Sequence, residues 1–441
     1  MRKKRLSLII AAFVFCSGNV FADQHRHHEA TGILLQYLAT EDASIQALKL
    51  QKVLAREGIV RAESSNDVTL NAIFSASETY NDINQRSGSG QRVRNSTNDH
   101  DLAAGLNLNK TLLDWGRQDD ALRSAELALL ASDERTRRDV EAIYLRALQA
   151  YYTTVRSLAR VQLREKSLIT LKKKLDEAQK RLAAGLNNKT QLAIAEASYA
   201  LGQSELTQEK SSLESALNDL KVYAPEGFTQ YIPEKVIFPA PNVRMQNIRL
   251  EAALEEMQKN SPVVMLARQA IAEAKARLDI LRNVDDPDLA LSLSASRTQG
   301  YGNTNSRNNA AKAVVTLNVP LFSGGSVSSD IRAQQQRVSQ AQLQYRATLD
   351  RQNATLKRAW NEFHALESSL DAAQKNATAR RALLDRAKQA LKVGQYTQTQ
   401  VFDEEDKLLA AELRIIDTQY SQLLKAFEVT NLIGWPLQEN L

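Results

Sequence analysis

Two long proline-free segments constrain the fold of this chain more than any other feature. Residues 114–224 and 321–435 are rich in Ala, Leu, Gln, Glu, Lys and Arg and contain few glycines. These residue types favour helix. The interval from Gly116 to Gly185 holds about 69 residues, which at about 1.5 Å each predicts roughly 100 Å of helix. A globular core needs no rod of this length, so the chain is predicted to be extended and mainly helical.

The sequence is also duplicated internally. "LNKTLLDWG" at Leu108–Gly116 is echoed by "LNVPLFSGG" at Leu317–Gly325, and the same offset aligns Gly185 with Gly394. Upstream, "DVTLNAIFSAS" at 67–77 aligns with "DPDLALSLSAS" at 286–296 under an offset ten residues longer. Several echoes in the same order indicate two structural repeats joined by a linker. Gly185 and Gly394 are interpreted as reversal points, since glycine reaches left-handed conformations at little cost.

The repeats define the predicted organisation of the chain. The boundaries are a signal peptide at 1–22, a first repeat at 23–223, a Pro-rich inter-repeat linker and equatorial segment at 224–260, and a second repeat at 261–441. Each repeat is predicted to begin with a helix, at 44–62 and at 263–282. Two strands follow, at about 68–80 and 101–113 in the first repeat and about 288–299 and 311–322 in the second. Long helical hairpins at 116–223 and 326–433 complete the repeats.

The four strand predictions rest on alternation of apolar and polar residues over about eleven positions. That length suits a tilted transmembrane strand, with one face toward lipid and one toward a lumen. Four strands cannot close a barrel, and open edges in hydrocarbon leave costly unpaired backbone groups. The chain is therefore predicted to oligomerise. Two copies would supply eight strands and a filled interior, whereas three would supply twelve and a lumen.

The first 22 residues are typical of a secretory signal peptide. A basic stretch, Arg2–Arg5, precedes a short apolar stretch, and small residues follow before Asp23. The alternative is an N-terminal membrane anchor. Removal of the leader would take away Cys16 and four basic charges, leaving 53 Lys and Arg against 51 Asp and Glu. No basic surface for nucleic acid is predicted from that balance.

No catalytic or cofactor motif is recognised. Nucleophile-elbow, phosphate-loop, HExxH and paired-cysteine patterns are absent from the sequence. His25, His27 and His28 form a cluster that we place at a disordered mature N-terminus without further metal ligands. The chain is therefore predicted to be no enzyme and to bind no cofactor.

The motifs together resemble those of the TolC-type outer-membrane channels, the outer membrane efflux proteins. The resemblance rests on the repeat, on "LNVPLFSGG", on Arg181 and Gly185 at the first reversal, on "VGQYTQTQVFDEEDKLLAAEL" at 393–413 and on the terminal "NLIGWPL". It covers residues 31–437. It implies an α+β membrane protein, a homotrimer with a twelve-stranded β-barrel in the outer membrane and a periplasmic α-barrel of long helices.

The resemblance also implies partners and site residues. Contact with a periplasmic adaptor and an inner-membrane ABC transporter or proton-driven pump would involve helix-tip residues Arg181, Gly185, Leu186, Val393 and Gly394. The channels of this family carry two acidic rings at the pore entrance, and the matching positions in this sequence are Gln400 and Asp403. Gln400 departs from the acidic residue of the family, so one acidic ring of Asp403 is expected. Glu404–Asp406 are interpreted as a solvated helix face.

The duplicated nine-residue stretch is predicted to join each barrel to its tunnel. The junction residues are Asp114, Trp115, Gly116, Pro320, Phe322, Gly324 and Gly325. Asp114 and Ser323 are predicted N-caps of the long helices.

The function implied is export through an outer-membrane channel and periplasmic tunnel, without catalysis. Type I secretion of a toxin or adhesin and multidrug efflux are both compatible with the sequence. The alternative is a periplasm-spanning structural or adhesin-like coiled coil without a pore, which would carry heptads and no paired strands.

Overall fold

A computed structural model describes residues 27–86, 92–184, 189–233, 238–239, 248–302 and 306–439. The predicted signal peptide and His25 lie outside the described residues. The chain divides into two compact units. Unit 1 comprises Met1–Leu50, Glu134–Leu266 and Arg346–Leu441, and unit 2 comprises Gln51–Asp133 and Ala267–Tyr345.

Each repeat contains helices, an antiparallel strand pair and a long helical hairpin. The helices are α1 at 27–41, α2 at Ala43–Glu63, α3 at Arg117–Ala183, α4 at Lys189–Lys221, α5 at Leu250–Asn260, α6 at Pro262–Arg282, α7 at Ser326–Lys392 and α8 at Gln398–Ile433. The strands are β1 at Thr69–Arg86, β2 at Arg92–Leu113, β3 at Asp288–Gly302 and β4 at Ser306–Asn318. The fold is mostly helical with one small antiparallel sheet. None of the described helices has an apolar stretch long enough to cross a membrane.

The sheet of unit 2 has the strand order β1-β2-β3-β4, with every neighbouring pair antiparallel. Its register collects apolar residues of all four strands on one face, which we call the apolar face. The face comprises Leu70, Ala72, Phe74 and Ala76; Leu102, Ala104, Leu106 and Leu108; Leu289, Leu291, Leu293 and Ala295; and Ala311, Ala313, Val315 and Leu317. The opposite face is polar over most positions, with Asn71, Asn107, Ser294 and Lys312 at one level. Side chains alternate between the faces because a strand has a two-residue period.

The strand ends differ from the predicted ones. β1 continues past its predicted end at about residue 80 to Arg86, and β2 begins at Arg92, before its predicted start at about residue 101. The prediction was too short because backbone pairing in a hairpin requires no apolar side chains. β4 ends at Asn318, short of the predicted residue 322. Pro320 lies just beyond it, and proline has no N–H to donate to a ladder.

The long helices α3 and α7 each contain 67 residues, which reflects the duplication. Helices α2 and α6 coincide with the predicted segments 44–62 and 263–282 to within one residue. Helix α1 was not predicted. It exists because Leu34, Leu35 and Leu38, spaced along one helical face, are almost completely buried in unit 1.

The main core of unit 1 forms around aromatic residues of α3. Tyr151 and Tyr152 are buried, and their rings meet edge to face at a centroid distance of 4.9 Å. Phe228 and Phe427 pack on them. His27, predicted to lie in a disordered terminus, is 1% exposed, and its Nδ1 lies 2.9 Å from the Tyr151 hydroxyl. That prediction was wrong because α1 docks on α3 and orders its own N-terminus.

A second core in unit 1 contains Met257, Trp360, Phe363 and Trp435. Here α8 ends at Gly434, whose φ is 87° and whose N–H reaches the carbonyls of Asn431 and Thr430. The "NLIGWPL" segment therefore turns sharply and returns Trp435 to the core.

Candidate functional site

The reversal between α7 and α8 is built around Gly394, which has a φ of 76°. Its N–H donates to Leu391 O at 3.2 Å, and Gln395 N–H donates to Ala390 O at 2.9 Å. Val393 is 70% exposed at the tip. Apart from the chain neighbours of Gly394, no heavy atom lies within 4 Å of the point that a Cβ would occupy there, so the backbone angle alone requires glycine.

The first reversal, between α3 and α4, is described only in part. Arg181 lies in the last turn of α3, which ends at Ala183. Gly185 and Leu186 lie outside the described residues. Their predicted role at the helix tip therefore stays a prediction.

Gln400 takes part in the N-terminal cap of α8. Thr397 Oγ1 accepts from Gln400 N–H, and Gln400 Oε1 accepts from Thr397 N–H at 2.8 Å, which forms a capping box. The amide of Gln400 is therefore committed to the helix start. This arrangement gives Gln400 a structural role at a position where the family resemblance implies an acid.

Asp403 lies one turn along α8, with its side chain 62% exposed, and it pairs with Lys407. The neighbouring acids behave differently. Glu404 is 17% exposed, with Lys407 Nζ at 2.9 Å and Arg380 Nη1 at 3.4 Å from its carboxylate. Asp403 is thus the predicted ring residue that presents most of its carboxylate to solvent.

In unit 2, each nine-residue stretch ends in two consecutive left-handed residues. Trp115 and Gly116 have φ values of 50° and 97°, and Gly324 and Gly325 have 62° and 83°. The two junctions therefore bend in the same way before α3 and α7 begin. Trp115 adopts this conformation although it is not glycine, and its side chain is 46% exposed.

The helix starts are capped differently in the two repeats. Asp114 accepts the N–H of Gln118 at 2.9 Å and that of Gly116 at 3.2 Å. Burial acts to raise the pKa of Asp114, but hydrogen bonds from Asn66, Gly116 and Gln118 outweigh it and the pKa is lowered. Ser323 was predicted as the equivalent cap. Its hydroxyl instead donates to Asp285 at 3.3 Å, and its carbonyl accepts from Ser326.

Apolar residues at the second junction are highly exposed. Leu321 and Phe322 are 91% and 90% exposed, and they follow Pro320 immediately after β4. Leu112 and Leu113 of the first junction are about half exposed. Solvent-exposed apolar side chains at both strand ends are typical of an interaction surface.

The chain is similar to known bacterial proteins in both sequence and fold. Residues 253–435 match the family model described as outer membrane efflux protein. The chain is 24% identical over 334 residues to the outer membrane efflux protein BepC of Brucella suis biovar 1, covering 75% of this chain and 71% of BepC. It is 22% identical over 395 residues to the proteases secretion protein PrtF of Dickeya chrysanthemi, covering 87% of this chain and 83% of PrtF.

Over residues 253–435 the chain thus resembles the outer membrane efflux proteins. Its fold agrees with that of the solved outer membrane protein VceC of Vibrio cholerae, with a TM-score of 0.73 and 20% identity over 91% of this chain and 95% of VceC. The matched family and VceC are outer membrane proteins. Members of the family are channels, and they act in efflux and in protease secretion.

Sequence analysis missed a set of buried ion pairs in this protein. Glu405 was interpreted as part of a solvated face, but its side chain is 16% exposed and pairs with Lys174 of α3 and Lys388 of α7. Lys174 lies 4.1 Å from the centre of the Phe402 ring. Burial, together with the charge of Lys388, lowers the pKa of Lys174 to about 8. The solvated-face interpretation is therefore wrong for Glu404 and Glu405.

Arg160 of α3 connects three helices, because it pairs with residues of α4 and α8. Its Nε lies 2.9 Å from Glu209 of α4, and its Nη1 lies 2.8 Å from Asp417 of α8. The hydrogen bond from Arg160 is the main cause that lowers the pKa of Glu209. Sequence periodicity gave no signal for these pairs, because their members are between 49 and 257 residues apart.

Among the residues that the structure describes, no group of three or more His, Cys, Asp and Glu side chains could hold a metal ion. His27 and His28 therefore form no metal cluster with other described residues. The described site consists of helix reversals, caps, ion pairs and strand-to-helix bends.

Proposed function

We propose that three copies of this chain form an export channel whose β-barrel crosses the outer membrane and whose α-barrel forms a periplasmic tunnel. The observation that carries the proposal is the four-stranded sheet, which has an apolar face, a polar face and two open edges. Only a closed barrel lets such a sheet face lipid without unpaired backbone groups.

The two edge strands define how the barrel closes. β1 and β4 each lack a neighbour on one side within the described chain. Pairing β4 of one copy with β1 of the next satisfies both edges, and a threefold ring contains twelve strands. The apolar face then contacts lipid, while the polar face, including Asn71, Asn107 and Ser294, lines a lumen.

The helical hairpins form the tunnel in this proposal. α3 with α4, and α7 with α8, supply four helices per copy, so three copies supply twelve. Arg181, Gly185, Leu186, Val393 and Gly394 mark the tips that meet a periplasmic adaptor and an inner-membrane ABC transporter or proton-driven pump. Asp403 supplies an acidic ring at the entrance, and the exposure of its carboxylate supports that role.

Six junctions connect barrel and tunnel in the trimer. The left-handed pairs at Trp115–Gly116 and Gly324–Gly325 bend each strand into its helix. Pro320 prevents further pairing of β4, and the exposed Phe322 lies beside the barrel at the periplasmic interface. Aromatic residues are frequent at such interfaces.

Substrate passage would be passive, with energy supplied by the inner-membrane partner. The proposed cargo is either a secreted protein or a small molecule, because the relatives named above include an efflux protein and a proteases secretion protein. A coiled coil without a pore is less favoured, since it gives no account of a sheet with one continuous apolar face.

Engineered cysteines test the closure. Asn71→Cys in β1 is combined in turn with Lys312→Cys, Val314→Cys or Thr316→Cys in β4, all on the polar face. At least one pair is expected to crosslink copies into a covalent trimer in cells. Asn107→Cys with Ser294→Cys is the matched control, because these interior residues face each other within one copy. Absence of every intermolecular crosslink from the β1–β4 pairs, with the control pair oxidised, would contradict the closure.

A further inference from the structure

The apolar face of the sheet changes character toward the hairpin ends. Beyond Ala295 and Ala311, the same face carries Arg297 on β3 and Arg307 on β4. The register pairs Arg297 with Asn309, and Arg307 with Gln299. The two arginines are thus diagonal neighbours, whose Cα atoms are about 7–8 Å apart in an antiparallel pair.

Both arginines are exposed and lack an ion-pair partner within the described chain. Their cross-strand neighbours are neutral: Ala104, Asn309 and Gln299. The nearest described acid on this face is Glu78, two strands from Arg297. Glu78 accepts a hydrogen bond from Asn98 at 3.2 Å and lies 3.9 Å from His100. Two positive charges therefore face outward without compensation.

Beside Arg297 the apolar face is hollow. Two adjoining depressions, of about 600 and 470 Å³, share Phe74, Ala104 and Arg297 in their linings. The small side chains of Ala104 and Ala295 form the floor of the depressions, and the larger side chains of Phe74, Leu102 and Leu106 form their sides. Small residues between large ones make room for an apolar chain. Arg297 lines both depressions, and the second extends past it to Gln299 and Tyr301.

Two aromatic residues of the apolar face lie between the arginines and the hairpin ends. Tyr301 is 44% exposed and lines the second depression, and Tyr80 is 66% exposed on β1. Tyrosine favours the boundary between hydrocarbon and headgroups, and arginine extends its guanidinium from apolar surface toward polar surroundings. In a sheet whose apolar face contacts lipid, as proposed above, the arginines would lie where a lipid headgroup meets its acyl chains.

We propose that Arg297 and Arg307 bind the phosphate of an outer-leaflet glycolipid, with an acyl chain in the first depression, on the side of Arg297 away from the hairpin ends. This inference rests on the proposed function, which directs the apolar face toward lipid and the hairpin ends toward the cell exterior. Guanidinium groups suit this ligand because they bind phosphate with two parallel hydrogen bonds. An acyl chain on the alanine floor adds apolar contact that inorganic phosphate cannot make.

The test uses purified full-length protein in detergent and lipid A as the phosphorylated probe. Native mass spectrometry counts the lipid A molecules retained by wild type, by Arg297→Gln with Arg307→Gln, and by Arg297→Lys. The double variant is expected to bind at least about tenfold more weakly, since hydrogen bonds to charged groups contribute enough for that change. Arg297→Lys, which keeps the charge but not the two-pronged geometry, is expected to fall between them.

Lys312→Gln is the matched charge control, because it removes one positive charge from the polar face of β4. It is expected to retain lipid A as wild type does. An equal loss of lipid A binding in Lys312→Gln would contradict a specific site and would indicate general attraction by positive charge. If wild type retains dephosphorylated lipid A equally well, the arginines do not bind the phosphate. If inorganic phosphate competes completely with lipid A, the acyl chain does not contribute to binding.

The mutants are also measured as channels in planar bilayers. The arginine variants are expected to form trimers and to conduct like wild type, because neither residue faces the proposed lumen. Normal conductance with lost lipid A binding supports the inference. Unchanged lipid A binding in the double variant overturns it whether or not wild type conducts, so the two proposals fail separately.

Discussion

Trp115 and Gly324 occupy equivalent places in the two repeats and adopt the same left-handed backbone, with φ values of 50° and 62°. The second junction has glycine, which adopts this conformation easily, whereas the first has the bulky aromatic residue Trp115. The shared bend is therefore a requirement of the strand-to-helix joint. Strained residues of this type persist where the surroundings or the function demand them.

The strain at Trp115 predicts an inverted order of stability between two substitutions. Trp115→Gly is expected to be more stable than Trp115→Ala by about 0.5–1 kcal/mol, because only alanine retains the left-handed penalty. Urea unfolding of both variants in detergent measures the difference. At Leu112, which lies in β2, the usual order with alanine more stable than glycine is expected.

Gly394 supports a second prediction at the helix reversal. Gly394→Ala is expected to destabilise the protein by about 1 kcal/mol, since alanine must adopt a left-handed φ there. Gly58 in α2 is the matched control. Apart from the adjacent backbone, no heavy atom lies within 4 Å of an added Cβ at either glycine, but Gly58 has an ordinary helical backbone. Gly58→Ala is expected to stabilise by about 0.5–1 kcal/mol. Equal effects of both substitutions on the unfolding midpoint would refute the conformational argument.

The pair of Arg160 and Glu209 predicts a pH dependence of stability. The pKa of Glu209 is lower in the folded protein than in the unfolded chain, so its contribution is fully present above about pH 4.3 and is lost as pH falls through the folded value. Glu209→Gln is expected to unfold more easily at pH 7 by about 2 kcal/mol and to lose this part of the acid dependence.

Unfolding curves between pH 3 and 7 measure this difference. Glu165→Gln is the control, because the ion pair of Glu165 with Lys210 has both side chains about half exposed. Its expected effect is below about 0.5 kcal/mol at either pH. A parallel pH dependence in wild type and Glu209→Gln would show that this carboxylate does not contribute as described.

The exposed carboxylate of Asp403 predicts a cation effect at the entrance. Asp403→Ala is expected to weaken block of the channel by divalent cations, because three carboxylates leave the proposed ring. Single-channel current at increasing Mg²⁺ concentration measures the block. Glu404→Gln is expected to change it less, since Glu404 is mostly buried between Lys407 and Arg380. Unchanged block in Asp403→Ala would remove the ring from the account.

Gln400→Glu provides the converse experiment. Glutamate at this position can keep the capping box with Thr397, so α8 is expected to remain intact while a second acidic ring is added. Stronger Mg²⁺ block is the expected result. Retained folding with no change in block would place Gln400 outside the conducting path.

Local features of the fold were accessible from sequence, and long-range ones were not. The 67-residue helices follow from residue composition and the absence of proline, and the strands follow from two-residue alternation. Helix α1 was missed because its significance lies in burial against Tyr151 and Tyr152. The burial of Glu405 was missed because Lys174 and Lys388 reach it from other helices.

The site predictions divide in the same way. The resemblance of "LNKTLLDWG" to "LNVPLFSGG" identified both bends, and Asp114 could be recognised as a helix cap from its type and position. Sequence similarity did not reveal that Ser323 bonds Asp285 instead, since the choice of partner depends on tertiary structure. The outward placement of Arg297 and Arg307 likewise required the register of β3 and β4.

Single-channel recording in planar bilayers tests the central claim most directly. Purified wild-type trimers are expected to produce discrete, long-lived conductance steps. The covalent trimer formed through β1 and β4 should produce the same steps, because closure of the sheet makes the pore. A crosslinked, folded trimer that inserts into the bilayer and carries no current would contradict the account.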